Sequence, residues 1–226
     1  MSDFNRTKIG KISDTIKSLS KKKMATHTDT VRTNFGAPLC RFHFREDGAF
    51  VERTTADLFG KKRVVLFGLP GAFTPTCSNS QVPDYEAAYD DLIAAGVDEV
   101  YCISVNDAFV MNAWRESLGI KKVKFIPDGN AFFTRQILAN VFKGDVGFGT
   151  RSWRYAAVIN FEEVEIMYTE PGMMDNCKED PYEMSRPAKI LEYLRQTPRV
   201  DPRENGKDEL DVLQALETEL YLKKNS

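Results

Sequence analysis

Histidine and closely paired cysteines, which build many zinc and dithiol sites, are scarce in this sequence. The 226 residues include two histidines, His27 and His43, and four cysteines, which are Cys40, Cys77, Cys102 and Cys177. No two cysteines form a Cys-x-x-Cys pair, which argues against a zinc site of paired cysteines and against a thioredoxin-type dithiol. Two histidines are too few to favour a histidine-based metal site. We therefore expect no metal cofactor.

Long apolar runs and an excess of charge of one sign are also missing. No apolar stretch reaches the roughly 18–20 residues that span a bilayer, and none near the N-terminus resembles the core of a secretory signal. The formal net charge is −2, which gives no electrostatic reason to expect a nucleic-acid or membrane partner. Four widely spaced cysteines in a chain of this length fit a reducing compartment. We expect a cytoplasmic protein, with organelle targeting by the N-terminal residues as the less favoured alternative.

Three segments of the chain differ in composition. Residues 1–30 form a basic polar tail, interpreted as a flexible segment or a small helical appendage. Residues 38–196 carry the apolar patterns of a single globular domain. Residues 200–226 form an amphipathic extension, with leucines at helical spacing on one side and acidic residues on the other. This last segment would fit against the domain or against a partner subunit.

Within residues 38–196, strand patterns alternate with helical patterns. Apolar runs predict buried strands at 64–69, 99–105 and 123–126, and residues 155–160 and 165–168 are predicted to form an antiparallel hairpin. Helical spacing of apolar residues follows Cys77, Asp107, the turn at 127–129 and Ser185, which is the predicted N-cap of the last helix. The basic residues 61–63 are interpreted as a solvated approach to the first buried strand. Together these patterns predict an α/β fold with a central mixed sheet flanked by helices.

Cys77 lies where the first buried strand has ended and a helix begins. The strand stops at Pro70-Gly71, a short loop follows, and apolar residues at helical spacing come after Cys77. A thiol in the first turn of a helix faces unpaired backbone N–H groups and the positive end of the helix dipole, which favour its thiolate form. The thiolate is the nucleophilic form of cysteine. The alternative is a buried, inert cysteine that packs as a small apolar residue; the loop-to-helix placement favours the reactive interpretation.

Three further residues are candidates for a site around this thiol. The Thr74 hydroxyl could bind a small oxygen ligand, Pro70 could shield the sulfur, and the guanidinium of Arg154 could stabilise a thiolate or a developing oxyanion. Each has a plainer interpretation, as a turn hydroxyl, a strand terminator and a surface residue. By composition alone, Arg151 is as good a candidate as Arg154.

The segment Pro70-Gly-Ala-Phe-Thr74-Pro-Thr-Cys77 resembles the P-x-x-x-T-x-x-C signature of peroxiredoxins, in the form found in the type-5 or type II class. Residues 101–114, 154–159 and 180–185 are also similar to that class, and the resemblance covers roughly residues 38–196. It implies a thioredoxin-like fold and the reduction of hydroperoxides by a thiol reductant. Relatives of this class also suggest a homodimer.

By matching positions, the resemblance assigns the site residues. Cys77 would be the peroxidatic cysteine, which becomes a sulfenic acid. Thr74 would orient the peroxide, Pro70 would shield the sulfenic acid, and Arg154 would stabilise the thiolate and the breaking O–O bond. Only this resemblance favours Arg154 over Arg151. It implies no organic cofactor. Family members often carry histidine four residues after the cysteine, where this chain has Gln81.

The resemblance leaves open what reduces the sulfenic acid. Cys102 and Cys177 are the candidate resolving cysteines, the first in a predicted buried strand and the second in a polar loop. We favour a one-cysteine cycle in which glutathione, glutaredoxin or thioredoxin reduces Cys77. The alternative function is a peroxide-sensing redox signalling or interaction protein that uses the same cysteine, and it is motivated by the two terminal segments.

Overall fold

The computed structural model describes residues 30–200. The strands there are β1 Val31–Gly36, β2 Arg41–Glu46, β3 Ala49–Thr54, β4 Arg63–Leu69, β5 Glu99–Ser104, β6 Lys124–Pro127, β7 Asn140–Lys143, β8 Gly149–Ser152, β9 Tyr155–Asn160 and β10 Glu163–Thr169. The helices are α1 Thr55–Phe59, α2 Val82–Ala87, α3 Tyr89–Ala94, α4 Ala108–Ser117, α5 Phe132–Gln136 and α6 Pro187–Gln196, with a π-helical turn, Cys77–Gln81, before α2. The predicted tail and extension lie almost entirely outside the described residues.

Six strands form the central sheet, in the order β1-β10-β9-β4-β5-β6. Neighbouring strands β4, β5 and β6 are parallel, whereas β9 is antiparallel to both β4 and β10, and β1 is antiparallel to β10. The predicted hairpin is present as β9 and β10, and its turn residues Phe161 and Glu162 both have positive φ, as a tight hairpin turn requires. The predicted mixed sheet flanked by helices is confirmed.

Strand β4 runs through the centre of the sheet and contributes to a core on each face. Every residue of β4 is buried, as its continuous apolar run predicts. Alternate residues Val65, Phe67 and Leu69 pack in one core with side chains of α2, α3, α4 and α6. The residues between them pack in a second core with α1 and α5. This double coverage holds the end of β4, and therefore the loop that carries Cys77, at a defined position.

The carboxyl ends of β4 and β5 lie at the same edge of the sheet because the two strands are parallel. The loops that follow them meet there, since the backbone N–H of Ala72 donates to Oδ1 of Asn106 at 3.0 Å. Such an edge is where parallel sheets commonly place functional groups.

Two strands were not among the sequence predictions. Strand β1 precedes Pro38, the predicted start of the domain, and pairs with β10. Strand β3 completes a hairpin with β2, although only the β2 pattern is evident in the sequence. On α4 the buried side chains are those of Ala108, Met111 and Trp114, whereas Ala113 is exposed. The helix begins after Asp107, as its apolar spacing predicts, and Oδ1 of Asp107 accepts hydrogen bonds from the N–H groups of Phe109 and Val110.

Arg63 is fully buried, which contradicts the prediction of a solvated approach to β4. Its guanidinium donates to Oε2 of Glu165 at 2.6 Å and to the carbonyl oxygen of Thr197 at 3.0 Å. Glu165 comes from β10 and Thr197 follows α6, so the partners that make this burial favourable are distant in sequence. A charge is buried only when such partners are present.

Gly68 provides a test of how closely β4 and β9 are packed. A Cβ atom at this position would lie 2.1 Å from Cε1 of Tyr155, which is itself fully buried. We expect Gly68→Ala to lower the free energy of unfolding by about 1–3 kcal/mol, because the core must shift to admit a methyl group. Urea unfolding midpoints measure this effect. Gly36→Ala is the matched control, since no atom lies within 4 Å of its added Cβ, and equal midpoints for the two variants would contradict the prediction.

Candidate active site

Cys77 lies one short loop after β4, at the start of the helical segment. Helical backbone begins at Pro75, a residue that suits the first position of a helix. The N–H of Ser78 donates to the carbonyl oxygen of Thr74 at 2.9 Å, and the N–H of Val82 donates to that of Cys77. The Cys77 side chain is fully buried. The local sequence thus sets the thiol in a first helical turn, and the fold removes it from solvent.

Arg154 brings a cation to the sulfur from a distant part of the chain. It directly precedes β9, the strand paired with β4, and is 1% exposed. Its Nη1 atom donates to Sγ of Cys77 at 3.5 Å and to Oε1 of Gln81, and its Nη2 atom donates to Oδ1 of Asp180. Burial opposes the guanidinium charge, but the Cys77 sulfur and the Asp180 carboxylate outweigh it and raise the pKa of Arg154. The interpretation of Arg154 as a surface residue is wrong.

Thr74 and Pro70 lie on the same loop as Cys77. The Thr74 hydroxyl donates to the carbonyl oxygen of Gly71 at 2.8 Å, so it is a turn hydroxyl in this structure and is not bonded to the sulfur. It remains partly exposed, whereas Pro70 is buried directly after β4. The loop therefore holds a hydroxyl one helical turn before the thiol.

Arg151 lies beside the same loop but makes different contacts. Its Nη1 donates to Oδ1 of Asn106 at 3.3 Å, and its Nε donates to the carbonyl oxygen of Phe148 at 3.1 Å. Burial lowers the pKa of Arg151, and the negative charge of Cys77 only partly opposes this. Both arginines therefore act electrostatically on the sulfur, but Arg154 is the one that donates a hydrogen bond to it.

Comparison with known proteins identifies the family. The redoxin family matches residues 38–183. A peroxiredoxin of Sinorhizobium fredii, y4vD, is 59% identical over 143 residues, which cover 63% of this chain and 76% of that protein. Two crystal structures are each 34% identical to this chain. The Plasmodium falciparum antioxidant protein, a 1-Cys peroxiredoxin, has a TM-score of 0.69, with 73% of this chain and 99% of that one covered. Reduced Prx3 of Vibrio vulnificus in complex with hydrogen peroxide has a TM-score of 0.66, with 72% of this chain and 98% of that one covered. The chain belongs to the peroxiredoxin family. It is therefore a thiol-dependent peroxidase with a thioredoxin-like fold.

Both candidate resolving cysteines of this peroxiredoxin are buried. Cys102 lies within β5, where burial and then the charge of Cys77 raise the pKa of its thiol well above its ordinary value. Cys177 follows β10 in a polar segment, yet its side chain packs against Trp153 and Val141. Burial and the hydrogen bond to Glu179 raise the pKa of the Cys177 thiol. A protonated thiol is a poor nucleophile for disulfide formation.

The remaining cysteine, Cys40, is also buried. Burial and then the Asp128 charge raise the pKa of Cys40 to about 11, while its sulfur accepts a hydrogen bond from Gln136 at 3.2 Å. All four cysteines are free. Between residues 30 and 200, no cluster of three or more acidic, cysteine or histidine side chains could hold a metal ion. No helix in that range is long and apolar enough to cross a membrane.

Two contributors to the site are not evident from the sequence. Asn106 accepts hydrogen bonds from Ala72, Ser104 and Arg151 through its single Oδ1 atom. It thereby fixes the loop that carries Thr74. Asp180 pairs with Arg154, and the only available signal was its presence in the segment 180–185 that resembles the family.

Proposed function

We propose that this peroxiredoxin reduces hydrogen peroxide and alkyl hydroperoxides through a sulfenic acid at Cys77. The thiolate attacks the terminal oxygen of the peroxide, so an S–O bond forms while the O–O bond breaks. The leaving oxygen takes up one proton, which balances the proton that the Cys77 thiol released on ionisation, and departs as water or alcohol. The sulfur is oxidised, and the peroxide supplies the oxidising equivalents. The observation that carries this proposal is the hydrogen bond from the buried Arg154 to Sγ of Cys77.

In this proposal the residues around the sulfur act in three ways. Arg154 stabilises first the thiolate and then the charge that develops on the breaking O–O bond, in a buried site where such interactions are strong. Thr74 turns its hydroxyl from Gly71 to the peroxide and orients it. Pro70 shields the sulfenic acid, since proline has no N–H that would compete for oxygen. Because Cys77 is fully buried, a small movement of the loop has to admit the peroxide.

Rapid-mixing kinetics test the proposed reaction. Trp114 is a natural reporter, because its Nε1 donates to Oγ of Ser78, the residue next to Cys77. We expect a fast change in tryptophan fluorescence with hydrogen peroxide and with an alkyl hydroperoxide, matched by a gain of one oxygen atom in the protein's mass. Protein that keeps its mass and fluorescence after mixing with peroxide would refute the proposal.

We propose further that an external thiol, namely glutathione with glutaredoxin or thioredoxin, reduces Cys77 in a one-cysteine cycle. Support comes from the burial and raised pKa of both Cys102 and Cys177. The similar Plasmodium protein is described as a 1-Cys peroxiredoxin.

Disulfide mapping tests the one-cysteine cycle. One equivalent of peroxide without reductant is expected to leave a sulfenic acid on Cys77, trapped by a dimedone-type reagent and located by mass spectrometry. The double variant Cys102→Ser/Cys177→Ser is expected to turn over peroxide at an unchanged rate with an external thiol. A peptide that links Cys77 to Cys102 or to Cys177 would establish a two-cysteine cycle instead.

We also propose that the protein is a homodimer. Exposed aromatic side chains support this, since Phe50 and Phe109 pack edge to face with ring centroids 5.8 Å apart and Phe73 is exposed beside the active site. Apolar surface of this kind commonly marks an interface. Sedimentation equilibrium should give twice the 25.6 kDa chain mass, and a concentration-independent monomer would contradict the proposal.

We propose that the enzyme is cytoplasmic and that its catalytic domain consists of residues 38–196 together with β1. The terminal segments on either side are then dispensable for peroxide reduction. Deletion of residues 1–29 or 201–226 is then expected to leave the peroxide rate constant unchanged. If turnover by the full chain with every reductant is negligible, while a deletion removes binding of a partner, the sensing function is the better description.

A further inference from the structure

Gln81 lies beside the reactive sulfur and shares a donor with it. It is the last residue of the π-helical turn that begins at Cys77 and is fully buried. Residues four apart in a helix lie on the same face. The Nη1 atom of Arg154 donates to both Sγ of Cys77 and Oε1 of Gln81, so the two side chains approach the same nitrogen.

The contact with Arg154 also orients the Gln81 amide. A guanidinium nitrogen can only donate, so the amide oxygen must face it and Nε2 must point elsewhere. This Nε2 atom is buried and has no hydrogen-bond partner within residues 30–200. The same is true of Nε of Arg154. A buried donor without a partner is costly, so this amide group is available to an acceptor that forms at the site.

We propose that Nε2 of Gln81 donates a hydrogen bond to the oxygen that Cys77 acquires from the peroxide. This inference rests on the proposed function, because it concerns the sulfenic acid formed there. Once the S–O bond has formed and the leaving oxygen has departed as water or alcohol, the new oxygen projects from Sγ into the space beside Arg154 and Gln81. Ionisation of the sulfenic acid releases one proton and leaves a sulfenate oxygen, the acceptor that a neutral amide donor stabilises. Gln81 is thus a catalytic residue that binds the oxidised sulfur.

The donor is specific to the oxidised state. A reduced sulfur already receives a hydrogen bond from Arg154, and it carries no oxygen atom to accept a second one from the amide. The amide is uncharged, so it adds little to the field that stabilises the thiolate. Its main effect is therefore expected on the sulfenic acid, whose ionisation it favours.

Nuclear magnetic resonance of the full chain, labelled with ¹⁵N, tests the proposed bond directly. The two side-chain N–H signals of Gln81 are assigned by their loss in Gln81→Met. After one equivalent of hydrogen peroxide, one of the two protons is expected to shift downfield. Cys77→Ser treated in the same way is the control, in which both signals should stay in place.

A second measurement follows the ionisation of the sulfenic acid with pH, through the rate at which its sulfenate form displaces chloride from a chlorinated nitrobenzoxadiazole reagent, with the absorbance of the adduct as the readout. In Gln81→Met the midpoint of sulfenate formation is expected to rise by about 1 pH unit, the size of effect given by losing one hydrogen bond to a charged group. Asp180→Asn serves as the comparison, because it loosens the other contact of Arg154 but leaves the Gln81 donor in place. It is expected to raise the midpoint less than Gln81→Met does.

The outcomes separate this inference from the proposed function. Protein that gains one oxygen at Cys77 while both Gln81 protons keep their shifts overturns the role of Gln81 and leaves the peroxidase chemistry intact. An equal or larger rise of the midpoint in Asp180→Asn also overturns it, since the position of Arg154 would then explain the effect. If no oxygen is gained at Cys77, the proposed function and this inference fail together.

Discussion

Peroxide turnover is expected to disappear in Cys77→Ser, the variant with the largest predicted effect. A serine hydroxyl replaces the thiol with almost no change in size, but at neutral pH it supplies neither a thiolate nor a polarisable nucleophile. The hydrogen bond from Arg154 would still have an acceptor in the serine oxygen. We therefore expect the fold to remain intact while the fast reaction with peroxide falls to the level of a mixture without enzyme.

The control for this prediction is a second cysteine in the same core. Cys102→Ser removes a thiol that lies in β5 and contributes to the same core as Cys77. It is expected to keep the fast reaction, although a buried serine lowers stability. Peroxide consumption is measured by rapid mixing, with circular dichroism to verify folding. Fast turnover in folded Cys77→Ser would show that another residue is the nucleophile.

The second largest effect is expected for Arg154→Gln. Loss of the arginine that donates to Sγ should lower the rate constant for the reaction with peroxide by about 10²–10³-fold, the usual cost of removing one preorganised donor from a developing negative charge. Arg154→Lys keeps the charge but cannot bond Cys77, Gln81 and Asp180 with one planar group. Its rate constant should lie between those of the wild type and Arg154→Gln.

Arg151→Gln is the matched control and addresses the alternative that composition leaves open. Arg151 donates to Asn106 and to backbone oxygens rather than to the sulfur. We expect a loss smaller than about tenfold for this variant, caused by a looser Thr74 loop and a weaker field at Cys77. Rate constants from rapid mixing at fixed pH decide the comparison. A larger loss in Arg151→Gln than in Arg154→Gln would transfer the main electrostatic role to Arg151.

Much of the sheet could be predicted because its central strands carry strong local signals. The continuous apolar run of β4 and the turn at Pro70-Gly71 are features of neighbouring residues, so they are visible without tertiary information. The edge strand β1 could not be recognised in the same way. It has an exposed and polar pattern, and its strand conformation depends on pairing with β10, which lies about 130 residues further along the chain.

The burial of charged side chains could not be predicted from neighbouring residues either. Arg63 follows two lysines, and a solvated basic segment is the natural interpretation of such a run. Its burial depends on Glu165 and Thr197, which the sheet and α6 bring to it. Likewise, the choice between Arg151 and Arg154 required the resemblance to a family, because three residues of sequence separation do not determine which guanidinium reaches the sulfur.

The sequence alone determined the local setting of Cys77 and predicted this residue as the nucleophile. Strand, loop and helix start are consecutive along the chain, so the placement of Cys77 in a first helical turn follows from local patterns. The tertiary structure alone decided what surrounds that thiol. Arg154 reaches Cys77 and Gln81 because β9, which follows it, pairs with β4. The segment after β10 then brings Asp180 into contact with Arg154. Long-range pairing, burial and the resulting hydrogen bonds are properties of the folded chain. They place the buried cation of Arg154 and the unpaired Nε2 donor of Gln81 beside a cysteine at a helix start.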